Sequence, residues 1–167
     1  AVPEIIRENG GEPVRTRVGH SFIKAKMAET NAVFGGEHSA HYYFRDFWRA
    51  DSGMLAAMHV LAALGQQDKP LSEMMAKYNR YAASGEINSR LDSAEAQADR
   101  TEAVVKAFAD RAENVDRLDG VTVELKDGNW FNVRASNTEP LLRLNVEADT
   151  QEAVDALVKE ILAIIRA

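Results

Sequence analysis

Apolar and polar residues alternate between residues 121 and 146, and this alternation constrains the fold more than any other feature of the sequence. A period of two is typical of strands that bury one face against a core. Turn-forming residues interrupt the pattern twice, so we predict three consecutive antiparallel strands. By the same alternation Leu142, Leu144 and Val146 face the core. Arg134 and Arg143 then lie on the opposite face, where they converge near the turn that follows Arg134.

The first turn of this region, at residues 127–129, decides how its two strands are paired. A two-residue loop would place Val123 opposite Asn132, whereas a three-residue loop places Val123 opposite Val133. We favour the three-residue loop because it pairs apolar residues with each other on one face. The same reasoning predicts a left-handed conformation for Asn129.

The flanking segments predict a strand at residues 87–91 and two helices. The first helix has an apolar face formed by Thr101, Val104, Val105, Phe108 and Ala112. The second helix begins with a capping box formed by Asp149 and Glu152. Its apolar positions are Val154, Leu157, Val158, Ile161, Leu162 and Ile165. Their helical spacing predicts that the second helix covers the sheet.

The N-terminal part of the sequence predicts a βαβ pattern. Pro3 opens a short helix, and Val14, Thr16 and Val18 then alternate with arginines as in a half-buried strand. Ser21 is expected to cap the next helix. Residues 32–34 read as a buried strand that ends at two glycines.

Two further helices complete this part, one from about Ser52 to Leu64 and one at residues 71–78. The longer helix has an apolar stripe of Met54, Leu55, Met58, Leu61 and Ala62. The polar stretch at residues 79–86 is the predicted domain boundary. We therefore expect a truncated βαβ-type α/β unit at residues 1–78. A small α+β unit, with a mainly antiparallel sheet covered by helices, is expected at residues 79–167.

The polar run at residues 134–140, with the sequence RASNTEP, has the composition of an anion-binding loop. Ser136, Asn137 and Thr138 can offer hydroxyl, amide and backbone donors. Arg134 adds a fixed positive charge whose guanidinium can bind two oxygens of a phosphate at once. By composition alone the run also fits a solvated polar turn.

This run resembles the phosphate-binding loop of the last domain of the α-D-phosphohexomutase family, in the form found in its phosphomannomutase/phosphoglucomutase branch. A second segment, GGEHSAHYYF at residues 35–44, resembles the sugar-recognition loop of the same family's third domain. The resemblance implies that Glu37 and Ser39 bind sugar hydroxyls and that His41 and His20 lie near the substrate. It likewise implies phosphate binding by Arg134, Ser136, Asn137 and Thr138.

Two elements of that family do not occur in these 167 residues, namely the Ser-His-Asn-Pro loop with the phosphoserine and the Asp-Gly-Asp-Gly-Asp-Arg magnesium loop. The resemblance therefore implies a C-terminal fragment, the end of domain 3 plus domain 4, of a mutase that interconverts hexose 1-phosphate and 6-phosphate through a bisphosphorylated intermediate. We expect magnesium and the catalytic serine to belong to the full-length parent, and the fragment alone to be inactive. A phosphoglucosamine mutase fragment and a stand-alone phosphosugar-binding module remain alternatives.

Composition limits the possible partners and compartments. The formal net charge of -6 argues against nucleic acid or an acidic membrane as the main partner, so an anionic ligand must be held by a local arrangement of donors. The absence of cysteine fits a reducing cytoplasm. We therefore expect a cytoplasmic protein whose partners are a phosphosugar, a hexose bisphosphate and the missing N-terminal domains. The residues named do not distinguish mannose from glucose.

Overall fold

The computed structural model describes residues 1–136 and 139–167, which form two compact units, Ala1–Asn79 and Arg80–Ala167. The first unit contains four helices and three short strands: α1 Val2–Glu8, α2 His20–Thr30, β1 Phe34–Gly36, β2 Tyr42–Phe44, β3 Ala50–Asp51, α3 Gly53–Gly65 and α4 Leu71–Ala76. The strands form an antiparallel sheet in the order β1-β2-β3. Its small core consists of Ile23 and Met27 from α2 and Tyr43 from β2.

Two sequence predictions for this unit are wrong. Residues 14–18 form no strand among the described residues, and Val14 and Val18 remain 44% and 43% exposed. An alternating pattern is not sufficient, because a strand also needs a neighbour for its backbone hydrogen bonds. The strand predicted at residues 32–34 begins two residues later, at Phe34, which is exposed. The parallel strand pair of a βαβ unit is therefore not formed in the described residues.

The helices of the first unit lie close to their predicted positions. The N-cap of α2 is Gly19, so the predicted cap at Ser21 is wrong. For α3 the cap is Ser52, whose hydroxyl accepts a hydrogen bond from the backbone N–H of Leu55 at 3.2 Å. The apolar stripe of α3 is not buried in this structure, since Met54, Met58 and Leu61 are more than half exposed.

The second unit is a six-stranded antiparallel sheet covered by two helices, which confirms the mixed α/β and α+β fold class. Its elements are β4 Ala82–Ala83, β5 Ile87–Arg90, α5 Ala94–Phe108, β6 Ala112–Asp116, β7 Val121–Leu125, β8 Trp130–Ala135, β9 Leu141–Ala148 and α6 Gln151–Ile165. The strand order is β4-β9-β8-β7-β6, and β5 also pairs with β9. The alternation correctly predicts the buried face of β7, β8 and β9, including Phe131 at 0% exposure.

The register of the β7–β8 hairpin differs from the prediction by two residues. Val123 lies opposite Phe131 and Val121 opposite Val133, so the loop consists of residues 126–128. Gly128, at φ +87°, is the left-handed residue in place of Asn129. A shift of two residues leaves every side chain on its predicted face, so the alternation could not detect the error.

Three other predictions for the second unit need correction. Ala112 belongs to β6, a strand that the sequence reading missed, and is not the last residue of a helical face. The strand β4 was also missed. The N-cap of α6 is Thr150, whose hydroxyl accepts a hydrogen bond from the N–H of Ala153 at 3.2 Å, so Asp149 does not cap this helix. Hydroxyl and carboxylate side chains are both good N-caps. Because Asp149 and Thr150 are adjacent, the sequence did not distinguish between them.

Candidate functional site

An open cavity of about 290 Å³ lies in the first unit, between the start of α2 and the β1–β2 turn. It is lined by Gly19, His20, Glu37, Ser39, His41, Tyr43 and Asp51. The four residues that the family resemblance implied for the sugar site, namely His20, Glu37, Ser39 and His41, therefore line one cavity. Three of them are close because the turn between β1 and β2 carries them, and His20 joins them as the first residue of α2.

The turn that carries Glu37, Ser39 and His41 is closed by backbone hydrogen bonds. The N–H of Glu37 donates to the carbonyl of His41 at 3.0 Å, and the N–H of Ala40 donates to the carbonyl of Glu37 at 3.0 Å. Ala40 adopts a left-handed conformation with φ +65°, which is uncommon for a residue with a Cβ atom. Backbone strain of this kind is concentrated at ligand sites.

Both carboxylate oxygens of Glu37 are held by protein donors. One oxygen accepts a hydrogen bond from the backbone N–H of Gly19 at 3.1 Å. The other accepts a short hydrogen bond from the hydroxyl of Tyr43. The pKa of Tyr43 is raised by burial and, in addition, by this hydrogen bond and the negative charge of Glu37. Tyr43 therefore remains a protonated donor at neutral pH.

His41 and Asp51 form a polar pair at the edge of the cavity, with 2.8 Å between the Nδ1 atom of His41 and the Oδ2 atom of Asp51. This hydrogen bond is the main reason why the pKa of Asp51 is lowered. With Nδ1 bound to Asp51, the Nε2 atom of His41 can form a hydrogen bond with a ligand.

Replacing His41 by alanine is expected to raise the pKa of Asp51 toward the ordinary aspartate value of about 3.9. In the unchanged protein the folded state has the lower pKa. The stability contributed by this pair is therefore present above the ordinary aspartate pKa and is lost as the pH falls through the folded-state value. Carbon-detected NMR titration of the carboxyl groups measures the shift. Asp46, which is paired with Arg45, is the internal control and should not change. An unchanged pKa of Asp51 in the alanine variant would contradict the assigned contact.

In the second unit Arg134 and Arg143 lie directly opposite each other on β8 and β9. Their side chains are only 19% and 25% exposed. The Nε atom of Arg134 lies 3.8 Å from a carboxylate oxygen of Asp119. Arg143 contacts Glu86 at 3.2 Å and lies 3.8 Å from Glu139. The convergence predicted from strand parity therefore occurs in the structure.

Ser136 lies beside this arginine pair at the end of β8. Its hydroxyl accepts a hydrogen bond from Arg143 at 3.4 Å, and its N–H donates to the carbonyl of Leu141 at 2.8 Å. Asn137 and Thr138, for which the family resemblance also implied phosphate binding, lie outside the described residues. The described part of the loop thus places one hydroxyl next to Arg143, which lies opposite Arg134 on the neighbouring strand.

Sequence comparisons assign both units. The model for phosphoglucomutase/phosphomannomutase alpha/beta/alpha domain III matches residues 1–81, and the model for the C-terminal domain of the same proteins matches residues 86–164. The chain belongs to the phosphoglucomutase/phosphomannomutase family. This result confirms the family resemblance that the two loops suggested.

The chain is similar to curated family members over almost its whole length. It is 42% identical over 164 residues to a phosphomannomutase of Methanocaldococcus jannaschii and 40% identical over 166 residues to a phosphomannomutase of Escherichia coli. Each alignment covers 98% of this chain but only 35% of the relative. A crystal structure of a phosphoglucomutase/phosphomannomutase family protein from Burkholderia thailandensis superimposes with a TM-score of 0.78. That alignment has 27% identity and covers 99% of this chain and 35% of that one.

The described residues do not fit a magnesium site. Magnesium prefers clustered oxygen ligands, and no group of three or more histidine, cysteine, aspartate or glutamate side chains in residues 1–136 and 139–167 could hold a metal ion. In the described part of this chain, no helix combines the length and the apolar character needed to span a membrane.

Three lining residues, Gly19, Tyr43 and Asp51, were not predicted from the sequence as site residues. Tyr43 lies six residues after Glu37, and the β1–β2 hairpin brings the two together. The sequence contains a weak signal for this contact, because Tyr43 lies in a strand-like run shortly after Glu37. Asp51 is brought in by the pairing of β3 with β2, which the sequence did not predict.

Proposed function

We propose that this chain is the C-terminal part of a longer phosphohexomutase, that it binds the sugar ring and one phosphate of the substrate, and that the full-length enzyme interconverts hexose 1-phosphate and hexose 6-phosphate. Mannose phosphates are the expected main substrates and glucose phosphates are the second choice. In this proposal a bisphosphorylated sugar is the intermediate. The observation that carries the proposal is the direct pairing of Arg134 with Arg143 beside Ser136.

Two arginines at opposite positions of adjacent strands repel each other and reduce stability. Nearby carboxylates compensate the positive charge of Arg143 more than that of Arg134. Arg143 has Glu86 and Glu139 as partners, whereas the closest ion-pair atoms of Arg134 and Asp119 are 3.8 Å apart. A phosphate dianion would be attracted by both guanidinium groups and would take its closest contacts from Arg134. The unequal compensation therefore supports Arg134 as the main phosphate ligand.

The cavity in the first unit supports sugar binding by a separate argument. A carboxylate oxygen has more than one acceptor position, so each oxygen of Glu37 can bind a sugar hydroxyl in addition to its protein donor. Two neighbouring hydroxyls of a hexose can therefore be bound by one carboxylate. Ser39 supplies a further hydroxyl at the same cavity. Because this set binds hydroxyls and not a phosphate, it suits a sugar that binds in both orientations.

The proposal assigns the reacting groups to residues outside this chain. The phosphoserine loop and the magnesium loop of the family do not occur in the sequence. When bound, magnesium would neutralise charge on the moving phosphoryl group. Within the chain, Arg134, Ser136, Asn137 and Thr138 would hold the phosphate that is not reacting, while Glu37, Ser39, His41 and His20 bind or surround the sugar.

The first test compares the full-length protein with the 167-residue chain. We expect the full-length protein to convert mannose 1-phosphate to mannose 6-phosphate when a hexose bisphosphate primer and magnesium are added. We expect no turnover by the chain alone under the same conditions, because it lacks the nucleophile. Coupled assays with purified protein, and a mock purification as the control, measure both rates.

Three results would overturn parts of this proposal. Turnover by the chain alone, above the mock purification, would show that a nucleophile exists among these residues. A full-length protein that converts only glucosamine phosphates would support the phosphoglucosamine mutase alternative. If the natural protein contains no further domains and binds phosphosugars without converting them, it is a binding module and not a mutase.

A further inference from the structure

The small core of the first unit contains one hydroxyl group, that of Tyr43. Tyr43 is 1% exposed and packs with Ile23 and Met27 of α2. The position opposite Tyr43 on β1 is Gly35, where a Cβ atom would lie 3.0 Å from Ile23 and 3.1 Å from Met27. The absence of a side chain at Gly35 thus lets α2 pack closely against the hairpin. Close packing on these sides fixes the tyrosine ring.

The hydroxyl of this fixed ring donates a hydrogen bond to Glu37. The other oxygen of the Glu37 carboxylate accepts a hydrogen bond from the backbone N–H of Gly19, the N-cap residue of α2. Glu37 is therefore held from two directions by groups that belong to different elements. A buried hydroxyl without a partner would be costly, so the tyrosine and the carboxylate depend on each other.

We propose that Tyr43 is a positioning residue for sugar recognition: its hydroxyl fixes the Glu37 carboxylate in the orientation that binds two neighbouring hydroxyls of the hexose. This inference rests on the proposed function, because it assigns a task to the sugar-binding carboxylate. Tyr43 need not touch the sugar itself. Its contribution is preorganisation, since a carboxylate that is already held loses less conformational freedom when the ligand binds.

The chemistry of the contact explains why a tyrosine is suited to this task. A phenylalanine would fill the same core space but could not hold Glu37. Without the hydroxyl donor, the side chain of Glu37 would keep only the Gly19 contact and could rotate about it. Because the pKa of Tyr43 is raised, the phenol stays a donor across the physiological pH range. Positioning by Tyr43 should therefore not change with pH in that range.

The test is a double-mutant cycle in the full-length protein with the variants Tyr43→Phe, Glu37→Gln and their combination. Tyr42→Phe is the matched control, because Tyr42 is the neighbouring tyrosine of β2, is 36% exposed and stacks on Phe34. Titration calorimetry measures the affinity for mannose 6-phosphate and for inorganic phosphate. Thermal unfolding of each variant is measured in parallel.

We expect Tyr43→Phe to weaken binding of mannose 6-phosphate by about two- to tenfold, the range of one ordinary hydrogen bond, and Glu37→Gln by about ten- to a hundredfold. The combined variant should bind no more weakly than Glu37→Gln alone, since Tyr43 acts through Glu37. Binding of inorganic phosphate should be unchanged in all variants. Tyr42→Phe should bind both ligands like the unchanged protein.

The outcomes separate a failure of this inference from a failure of the proposed function. If the unchanged protein does not bind mannose 6-phosphate, the proposed function is wrong and the inference with it. If it binds and Glu37→Gln weakens binding while Tyr43→Phe does not, only the inference is overturned. Independent, additive losses in the combined variant would show that Tyr43 merely packs in the core.

A second measurement applies if Tyr43→Phe does not fold. NMR titration of carbon-13-labelled tyrosine in Glu37→Gln should show a lower pKa for Tyr43 than in the unchanged protein, because burial would still raise the pKa but the Glu37 carboxylate would no longer add to it. An unchanged pKa of Tyr43 would contradict the contact on which the inference depends.

Discussion

Arg134→Ala is expected to weaken the binding of hexose 6-phosphate to the full-length protein by about ten- to a hundredfold. Hydrogen bonds to charged groups contribute about 1.5 to 3 kcal/mol, against about 0.5 to 1.5 kcal/mol for a neutral pair. Arg134 would supply the charged kind, and its guanidinium can bind two phosphate oxygens. In the structure the Nε atom of Arg134 lies 3.8 Å from a carboxylate oxygen of Asp119, a distance too long for a hydrogen bond.

Three comparison variants sharpen this prediction. Arg134→Lys should restore only part of the affinity, because an ammonium group cannot make the paired contact. Ser136→Ala should cost less than Arg134→Ala, because its hydroxyl is a neutral donor. Arg143→Ala is the decisive comparison, because Arg143 already contacts Glu86 and Ser136. Titration calorimetry measures all four variants. If Arg143→Ala loses affinity while Arg134→Ala does not, the phosphate has been assigned to the wrong arginine.

Gly120→Ala is expected to cause the largest loss of stability among the substitutions considered. Gly120 has a φ of +66°, and an alanine in the left-handed region costs about 1 to 2 kcal/mol. A Cβ atom at this position would also lie 2.5 Å from the carbonyl oxygen of Val133 and 2.8 Å from the Cβ atom of Arg134. Overpacking adds about 1 to 3 kcal/mol. Since the clash falls on the strand that carries Arg134, phosphate binding should weaken as well.

Gly128→Ala is the matched control for this substitution. Gly128 also has a positive φ, of +87°, but apart from Gly128 itself and its two chain neighbours no described residue has a heavy atom within 4 Å of the position of the added Cβ. Its loss of stability should therefore reflect backbone strain alone. Urea unfolding of the 167-residue chain, followed by circular dichroism, measures both variants. Equal losses would show that β8 moves away from Gly120 without cost.

The sequence by itself determined the second unit in its main features. The alternation of apolar and polar residues identified the buried face of β7, β8 and β9. The helical spacing of apolar residues identified the buried stripe of α6. Both patterns are local, because a side chain's face depends only on its position along its own element. The same parity placed Arg134 and Arg143 on one face, where the structure pairs them.

Local patterns could not determine which elements lie next to each other. The register of the β7–β8 hairpin was wrong by two residues, because Gly128 and not Asn129 provides the left-handed turn residue. Residues 14–18 alternate like a strand but form none, whereas β6 was missed. Pairing depends on a partner strand and on backbone geometry, and neither is contained in the period of one segment.

The sugar-side cavity shows the same division between sequence and tertiary structure. Glu37, Ser39 and His41 could be grouped from the sequence because one short turn carries them. Only the tertiary structure decided that Tyr43 and Gly19 hold Glu37 and that Asp51 holds His41. These contacts join Glu37 and His41 of the β1–β2 turn to the N-cap of α2, to β2 and to β3. They depend on how α2 packs against the hairpin and on the pairing of β3 with β2, and a local sequence pattern contains neither.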